Sequence, residues 1–214
     1  MRSPSTFPQC WRHKNGDEAL TGMTEDERES ATNGQRVCPA EHAGWLYSSW
    51  RKVIHNPARI LRGLVKPGDT AVDLGCGPGF FTLPLAEMVG EEGLVIAVDL
   101  QEAMLEKLRA RAEQAGLASR IHPHQATTTT MDLVARAEFV LAFYMLHEVP
   151  NKERFLEEVR EILNEDGRFL LVEPWGHVSG VEYQRTVATA AAVGLKPLSK
   201  VRVAFSRGTL FQRG

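Results

Sequence analysis

From residue 70 onward the chain alternates short apolar runs with longer segments whose apolar positions recur at helical spacing. The runs predict strands over 70–74, 94–99, 121–125, 139–143 and 168–173. The segments between and after them predict helices over 79–88, 102–115, 152–163 and 179–193. Gly90, Gly116, Gly167 and Gly194 stand near the helix ends, where a residue free to turn left-handed stops a helix at little cost. This alternation reads as an α/β fold, a parallel sheet covered by helices on both faces. After 194 the pattern changes. Two apolar runs, 201–205 and 209–212, flank Ser206-Arg207-Gly208 and predict an antiparallel hairpin turning at those three residues.

Upstream, residues 41–64 carry Trp45, Trp50, Val53, Ile54, Ile60, Leu61 and Leu64 at helical spacing, with Asn56-Pro57 as a cap and first-turn proline between two helices. Residues 1–36 contain no Val, Ile or Tyr, so little apolar surface is available to offset the entropy of ordering them. The chain therefore divides into a disordered tail (1–36), a helical cap (37–66) and a main domain (67–214).

Composition narrows the class of function. Of 214 residues, 43% are hydrophobic and 24% charged, enough for one sizeable core. Lys and Arg number 25 against 27 Asp and Glu, so no global positive field favours nucleic acid as a partner. The longest apolar run, 139–146, is far shorter than the roughly 20 residues that span a bilayer, which argues against a membrane partner. The first residues lack the apolar segment of a secretory signal, and three unevenly spaced cysteines suit a reducing compartment, so the cytoplasm is expected. No CxxC pair points to structural zinc, and no metal is expected.

The most informative segment is VDLGCGPGFF at 72–81, an apolar strand with an acidic residue followed by glycines at 75, 77 and 79. Gly75 permits a tight turn, Gly77 lets backbone approach a ligand, and Gly79 is expected to open the following helix with its N–H groups facing the crevice. A dinucleotide fingerprint needs GxGxxG, whereas the spacing here is GxGxG with Phe80 in the third-glycine place, which counts against NAD. The next strand ends at Asp99, 20 positions after Gly79, where a carboxylate can accept both hydrogen bonds of a ribose diol.

At these residues the chain resembles the class I S-adenosylmethionine-dependent methyltransferases, from about Cys38 to the C-terminus. LHEVP after the fourth strand and LNEDGRFLLVEP leading into the fifth add to the likeness, the latter keeping a turn at Asn164-Glu165-Asp166-Gly167. The resemblance implies a doubly wound, seven-stranded, mostly parallel sheet in the order 3-2-1-4-5-7-6 with an N-terminal helical extension, and S-adenosylmethionine as cofactor. It places Asp73 near the methionine ammonium, Gly75 and Gly77 along methionine and ribose, Asp99 on the ribose, and Leu100 and Met104 against the adenine. Cys76, Gly79 and Phe80 complete the loop. Gln125 or Ala126 takes the place of an acidic adenine contact, and the backbone at Ala142 and Phe143 accepts from the ammonium.

The implied reaction is in-line displacement of a methyl group onto an acceptor, with much of the acceleration supplied by alignment and exclusion of water. A base is needed when the acceptor must shed a proton. His147 and His177, just after the fourth and fifth strands, are the candidates, each equally readable as a helix cap or loop filler. Tyr144, Glu173 and, from the cap, His42 are candidate acceptor contacts. The cap's Cys38, His42, Trp45, Tyr47 and Trp50 read either as a lid or as an aromatic helix packed on the sheet edge. The fourth strand runs Ala142-Phe143-Tyr144-Met145 instead of Asn/Asp-Pro-Pro-Tyr/Phe, and no Pro-Cys motif is present, which disfavours nucleobase methylation. A small-molecule acceptor is expected. The competing readings are a noncatalytic S-adenosylmethionine-binding module that regulates a partner and, more distantly, a nicotinamide oxidoreductase.

Overall fold

The computed structural model describes residues 54–214. The tail 1–36 and most of the cap, with Cys38, His42, Trp45, Tyr47 and Trp50, lie outside the described residues. The described chain opens with the one-turn α1 (Pro57–Ile60). Asn56 caps it by accepting from the Arg59 N–H, and proline stands at its first position. It ends at Leu61, short of the longer second helix the periodicity predicts.

Strands and helices then alternate: β1 (Thr70–Leu74), α2 (Thr82–Val89), β2 (Leu94–Asp99), α3 (Glu102–Gln114), β3 (Ile121–Gln125), β4 (Ala137–Phe143), α4 (Lys152–Ile162), β5 (Leu163–Pro174), α5 (Gly180–Ala192), β6 (Leu195–Val201) and β7 (Ser206–Arg213). They form one seven-stranded sheet in the order 3-2-1-4-5-7-6. β7 runs antiparallel to both β5 and β6, and every other pairing is parallel. The first three predicted strands match residue for residue. No helix among the described residues is long and apolar enough to cross a membrane.

Strand alternation sorts the core into two halves. Ala71, Val95, Ala97, Phe139, Leu141, Leu170 and Val172 face Leu85, Val89, Leu105 and Leu108 of α2 and α3. Val72, Leu74, Ile96, Val140, Phe169 and Leu171 face Leu156, Val159, Ile162 and Tyr183 of α4 and α5. Phe169 and Phe211, both fully buried, stack across β5 and β7 at 5.7 Å between ring centroids. Burial of each ring stabilises the fold by roughly 1.5–3 kcal/mol.

Three expectations are corrected. α2 begins at Thr82, not Gly79, because Gly79 has φ +89°, a left-handed conformation that cannot belong to an α-helix. Its N–H donates to the Cys76 carbonyl and closes a turn, so it does not face the crevice as a free helix-end donor. β5 begins at Leu163 because Asn164-Glu165-Asp166-Gly167 is drawn into the strand as an irregularity where the β4–β5 register shifts. The hairpin turns at 202–205, and Ser206-Arg207-Gly208 belong to β7. Gly208 is a ladder residue there, paired with both Val172 and Val201.

A Cβ on Gly208 would stand 2.7 Å from the Val201 carbonyl oxygen, backbone that cannot yield without parting the ladder. Gly208→Ala is therefore expected to destabilise the protein by about 1–3 kcal/mol in urea unfolding, and an unchanged midpoint would show that β6 and β7 can re-space.

Candidate active site

The parallel strands bring the carboxyl ends of β1, β2, β4 and β5 to one edge of the sheet, where ligands of open α/β sheets bind. At the end of β1 the buried Asp73 accepts from the Thr82 hydroxyl at 2.6 Å, which ties the strand to the first turn of α2. Gly75 (φ +67°) approaches the chain after β4 so closely that a Cβ would lie 2.8 Å from Met145 Cβ. Gly77 (φ +52°) has nothing within 4 Å of its would-be Cβ, leaving backbone accessible to a ligand. Gly79 packs on α3, since a Cβ there would stand 2.5 Å from Leu108 Cδ1.

Asp99 organises the loop from the next strand. One carboxylate oxygen accepts from the Gly77 N–H at 2.8 Å, the other from the Gln101 N–H at 2.9 Å. Each oxygen keeps acceptor capacity for a further donor. Burial raises the Asp99 pKa, opposed by bonds from the Gln101, Gly77 and Leu100 amides. Beside it Gln125 donates to the Leu100 carbonyl at 3.2 Å, and the Ala126 N–H donates to the Asp99 carbonyl at 3.0 Å. The side chains of Cys76, Phe80 and Met104 are buried. Burial, then the charges of Asp73 and Asp99, push the Cys76 thiol well above its ordinary pKa, so it is a filler and no nucleophile. Phe80 packs edge-on to Phe81, which lies against Phe143, while Ala142 is fully buried inside the sheet.

The second half of the site is built on Glu173, near the end of β5 and only 2% exposed. Its two oxygens hold one residue: Oε1 accepts from the His147 backbone N–H at 3.1 Å, and Oε2 lies 2.6 Å from His147 Nδ1. A carboxylate at that distance assigns the proton to Nδ1 and leaves Nε2 as the acceptor. Burial alone would lower the His147 pKa, but the Glu173 hydrogen bond and charge, with the Glu148 charge, more than offset it and the pKa is raised. The exposed His177 ring lies 5.5 Å from that of His147, centroid to centroid, with its pKa lowered by burial and by the His147 charge. Burial pushes Glu148 up to about 7, with His147 pulling down and Glu173 and Asp99 pushing up. The close approach of Gly75 to Met145, two residues before His147, brings the glycine loop and the histidine pair to one edge. Among the described residues, no group of three His, Cys, Asp or Glu could hold a metal ion.

Tyr144 is held by contacts within the protein. Its φ of +65° breaks strand alternation and returns its ring to the face that holds Phe143, with centroids 4.3 Å apart. Its hydroxyl bonds to His55 Nε2 at 3.0 Å and to the Ser206 hydroxyl, so it is engaged within the protein. His55 Nε2 also lies 3.1 Å from the Ala204 carbonyl, which only an N–H at Nε2 can satisfy. His55, Ser206 and the adjoining Phe205 were not legible as site residues, because these contacts join positions 62 and 149 residues apart.

A sheet of this order, with a glycine loop after β1, an acid closing β2 and the site along the carboxyl edge, defines the Rossmann-like class I methyltransferase fold. Residues 65–196 match the family described as methyltransferase domain, and the chain belongs to it. It is 29% identical over 127 residues to the demethylmenaquinone methyltransferase of Lactobacillus johnsonii, covering 59% of this chain and 50% of that one. It is 30% identical over 129 residues to the Bacillus cereus protein of the same name, covering 59% and 52%. The chain thus spans about half the length of the curated relatives it matches. In fold it is similar to a SAM-dependent methyltransferase from Aquifex aeolicus (TM-score 0.76, 21% identity, 83% of this chain and 100% of that one). It is also similar to the Aeropyrum pernix fibrillarin solved with natively bound S-adenosyl-L-methionine (TM-score 0.56, 18% identity, 69% and 68%).

Glu148 gives a pH signature. Its carboxyl ordinarily loses its proton near 4.5 and in the folded protein near 7. Between those values the native state binds the extra proton, so stability falls as pH rises across the window and the loss is complete above it. Glu148→Gln should remove that fall and stabilise the protein by about 2 kcal/mol at pH 8 but hardly at pH 4. Urea unfolding at the two pH values would read it, and an equal shift at both would refute it.

Proposed function

We propose that the chain binds S-adenosylmethionine along its glycine loop and catalyses methylation of a small aromatic hydroxy acceptor, using His147 as the base. The pairing of His147 with the buried Glu173, beside a loop shaped for a ribose-bearing ligand, carries this reading. Gly77 offers open backbone, and the Asp99 carboxylate has capacity left for the ribose hydroxyls. Asp73, Gly75, Ala142 and Phe143 border the methionine end, and Leu100, Gln125 and Ala126 the adenine end. Met104 joins Leu100 at the adenine end, and Cys76, Gly79 and Phe80 complete the loop. When bound, S-adenosylmethionine supplies a methyl group on a positively charged sulfur.

The chain's own task is then to orient the acceptor, exclude water and remove a proton. His147 Nε2 is the group for that last step, because Nδ1 is turned to Glu173, whose negative charge stabilises the imidazolium that forms. Glu173 is thus a positioning residue, and His177 lies exposed beside His147. The raised pKa of His147 favours acceptors of matching acidity, which phenols and hydroquinones approach more nearly than aliphatic alcohols do. The demethylmenaquinone methyltransferases among the relatives support an aromatic acceptor. We assign the reaction to the cytoplasm, in keeping with the uneven cysteine spacing.

Calorimetry should show S-adenosylmethionine and S-adenosylhomocysteine binding, with Asp99→Ala weakening both at least about tenfold. With 1,4-dihydroxynaphthalene as acceptor under argon, S-adenosylhomocysteine should accumulate, and His147→Ala should lower kcat by about 100-fold or more with cofactor affinity kept. Binding without turnover across a panel of phenols and hydroquinones would favour the regulatory module instead.

A further inference from the structure

Among the described residues three non-glycine positions have positive φ: Asp132, Tyr144 and Phe205. Two of them are bulky aromatics at the carboxyl edge of the sheet, where left-handed backbone is strained. Phe205 (φ +55°) gains little from this conformation by burial, since its side chain is 66% exposed at the β6–β7 turn. Trp175, 56% exposed, meets it edge to face at 6.3 Å, and the Trp175 N–H donates to the Phe205 carbonyl at 3.0 Å. In the chain Trp175 stands two residues after Glu173, which holds His147, and two before His177, whose ring adjoins that of His147.

The turn that carries Phe205 is held from both sides. The Ser206 hydroxyl donates to the Ala204 carbonyl at 2.8 Å and is bonded by the Tyr144 hydroxyl. The His55 Nε2–H serves the same carbonyl and the Tyr144 oxygen. This closed network joins the two strained aromatics, Tyr144 directly and Phe205 through its neighbours on either side. Exposed aromatic rings maintained at a conformational cost are a local expense that folding alone does not explain.

We infer that Trp175 and Phe205 form an aromatic clamp that receives the ring of the methyl acceptor, and that the Tyr144–Ser206–His55 network is the device that keeps the clamp beside His147. The inference rests on the reading of the site as a methyltransferase and adds the residues that select an aromatic acceptor over an aliphatic one. Edge-to-face and stacked contacts reward a flat π-system and give a saturated ring of the same size only its buried area.

The test is calorimetric binding of 1-naphthol and of decahydro-1-naphthol to the full chain saturated with S-adenosylhomocysteine. The wild type should prefer the aromatic probe by about fivefold or more. Trp175→Ala and Phe205→Asn should each erase most of that preference, with S-adenosylhomocysteine affinity kept. Asparagine tolerates left-handed backbone, so Phe205→Asn should leave the melting temperature unchanged or raised, the opposite of what loss of a structural ring would do. Tyr144→Phe keeps the ring but opens the network, and should weaken 1-naphthol binding in the same direction. Equal binding of the two probes by the wild type, no binding of 1-naphthol, or a preference that survives both clamp variants would overturn the clamp while the cofactor reading stands. Failure of the wild type to bind S-adenosylhomocysteine would overturn both.

Discussion

Removing the Glu173 carboxylate from water carries a desolvation penalty of several kcal/mol, and the protein offsets it with two bonds from a single residue, the His147 backbone N–H and ring. That pairing fixes the chain as it leaves β4, sets the tautomer of the imidazole, and joins β4 to β5 at the edge where chemistry is possible. It also constrains its neighbours. Glu148 and His177 titrate in the field of the pair, and Trp175 lies between Glu173 and His177 in the chain. Breaking the pair from either side would leave a buried group without compensation, which is why the two residues act as one unit.

The other half of the edge is governed by Asp99. A carboxylate that accepts from Gly77 and Gln101 at once shapes the glycine loop before any ligand arrives. The contact between Gly75 and Met145 brings the loops after β1 and β4 together. One edge thus carries the glycine loop and the His147–Glu173 pair side by side.

Strain is distributed unevenly over this framework. The sheet interior obeys strand alternation residue after residue, with Phe139, Leu141 and Phe143 to one side and Val140 and Ala142 to the other. At Tyr144 the alternation fails because its backbone is left-handed, and Phe205, in the β6–β7 turn across the edge, shares that conformation. Both of these left-handed aromatics fall at the carboxyl edge, just beyond the strands.

Local pattern was sufficient for the elements whose burial is uniform. β1 and β2 could be delimited because their buried apolar runs end at glycine or acidic residues, and the likeness at VDLGCGPGFF carried the strand order with it. Boundaries moved where tertiary contact overrode local preference. Asn164-Glu165-Asp166-Gly167 has the composition of a turn but is captured by the β4–β5 ladder, and Ser206-Arg207-Gly208 is pulled into β7 because Val172 and Val201 flank Gly208. Sequence by itself determined the fold class and the glycine loop, and it placed Asp99 at the end of β2 and the two histidines just after β4 and β5, since each depends on residue type at short spacing. Only the tertiary structure decided that Glu173 holds His147, that the Tyr144 hydroxyl is engaged by His55 and Ser206, and that Trp175 meets Phe205. Those pairings join positions 26 to 89 residues apart, and side-chain contact across such separations is set by how the strands assemble, for which short-range pattern carries no signal.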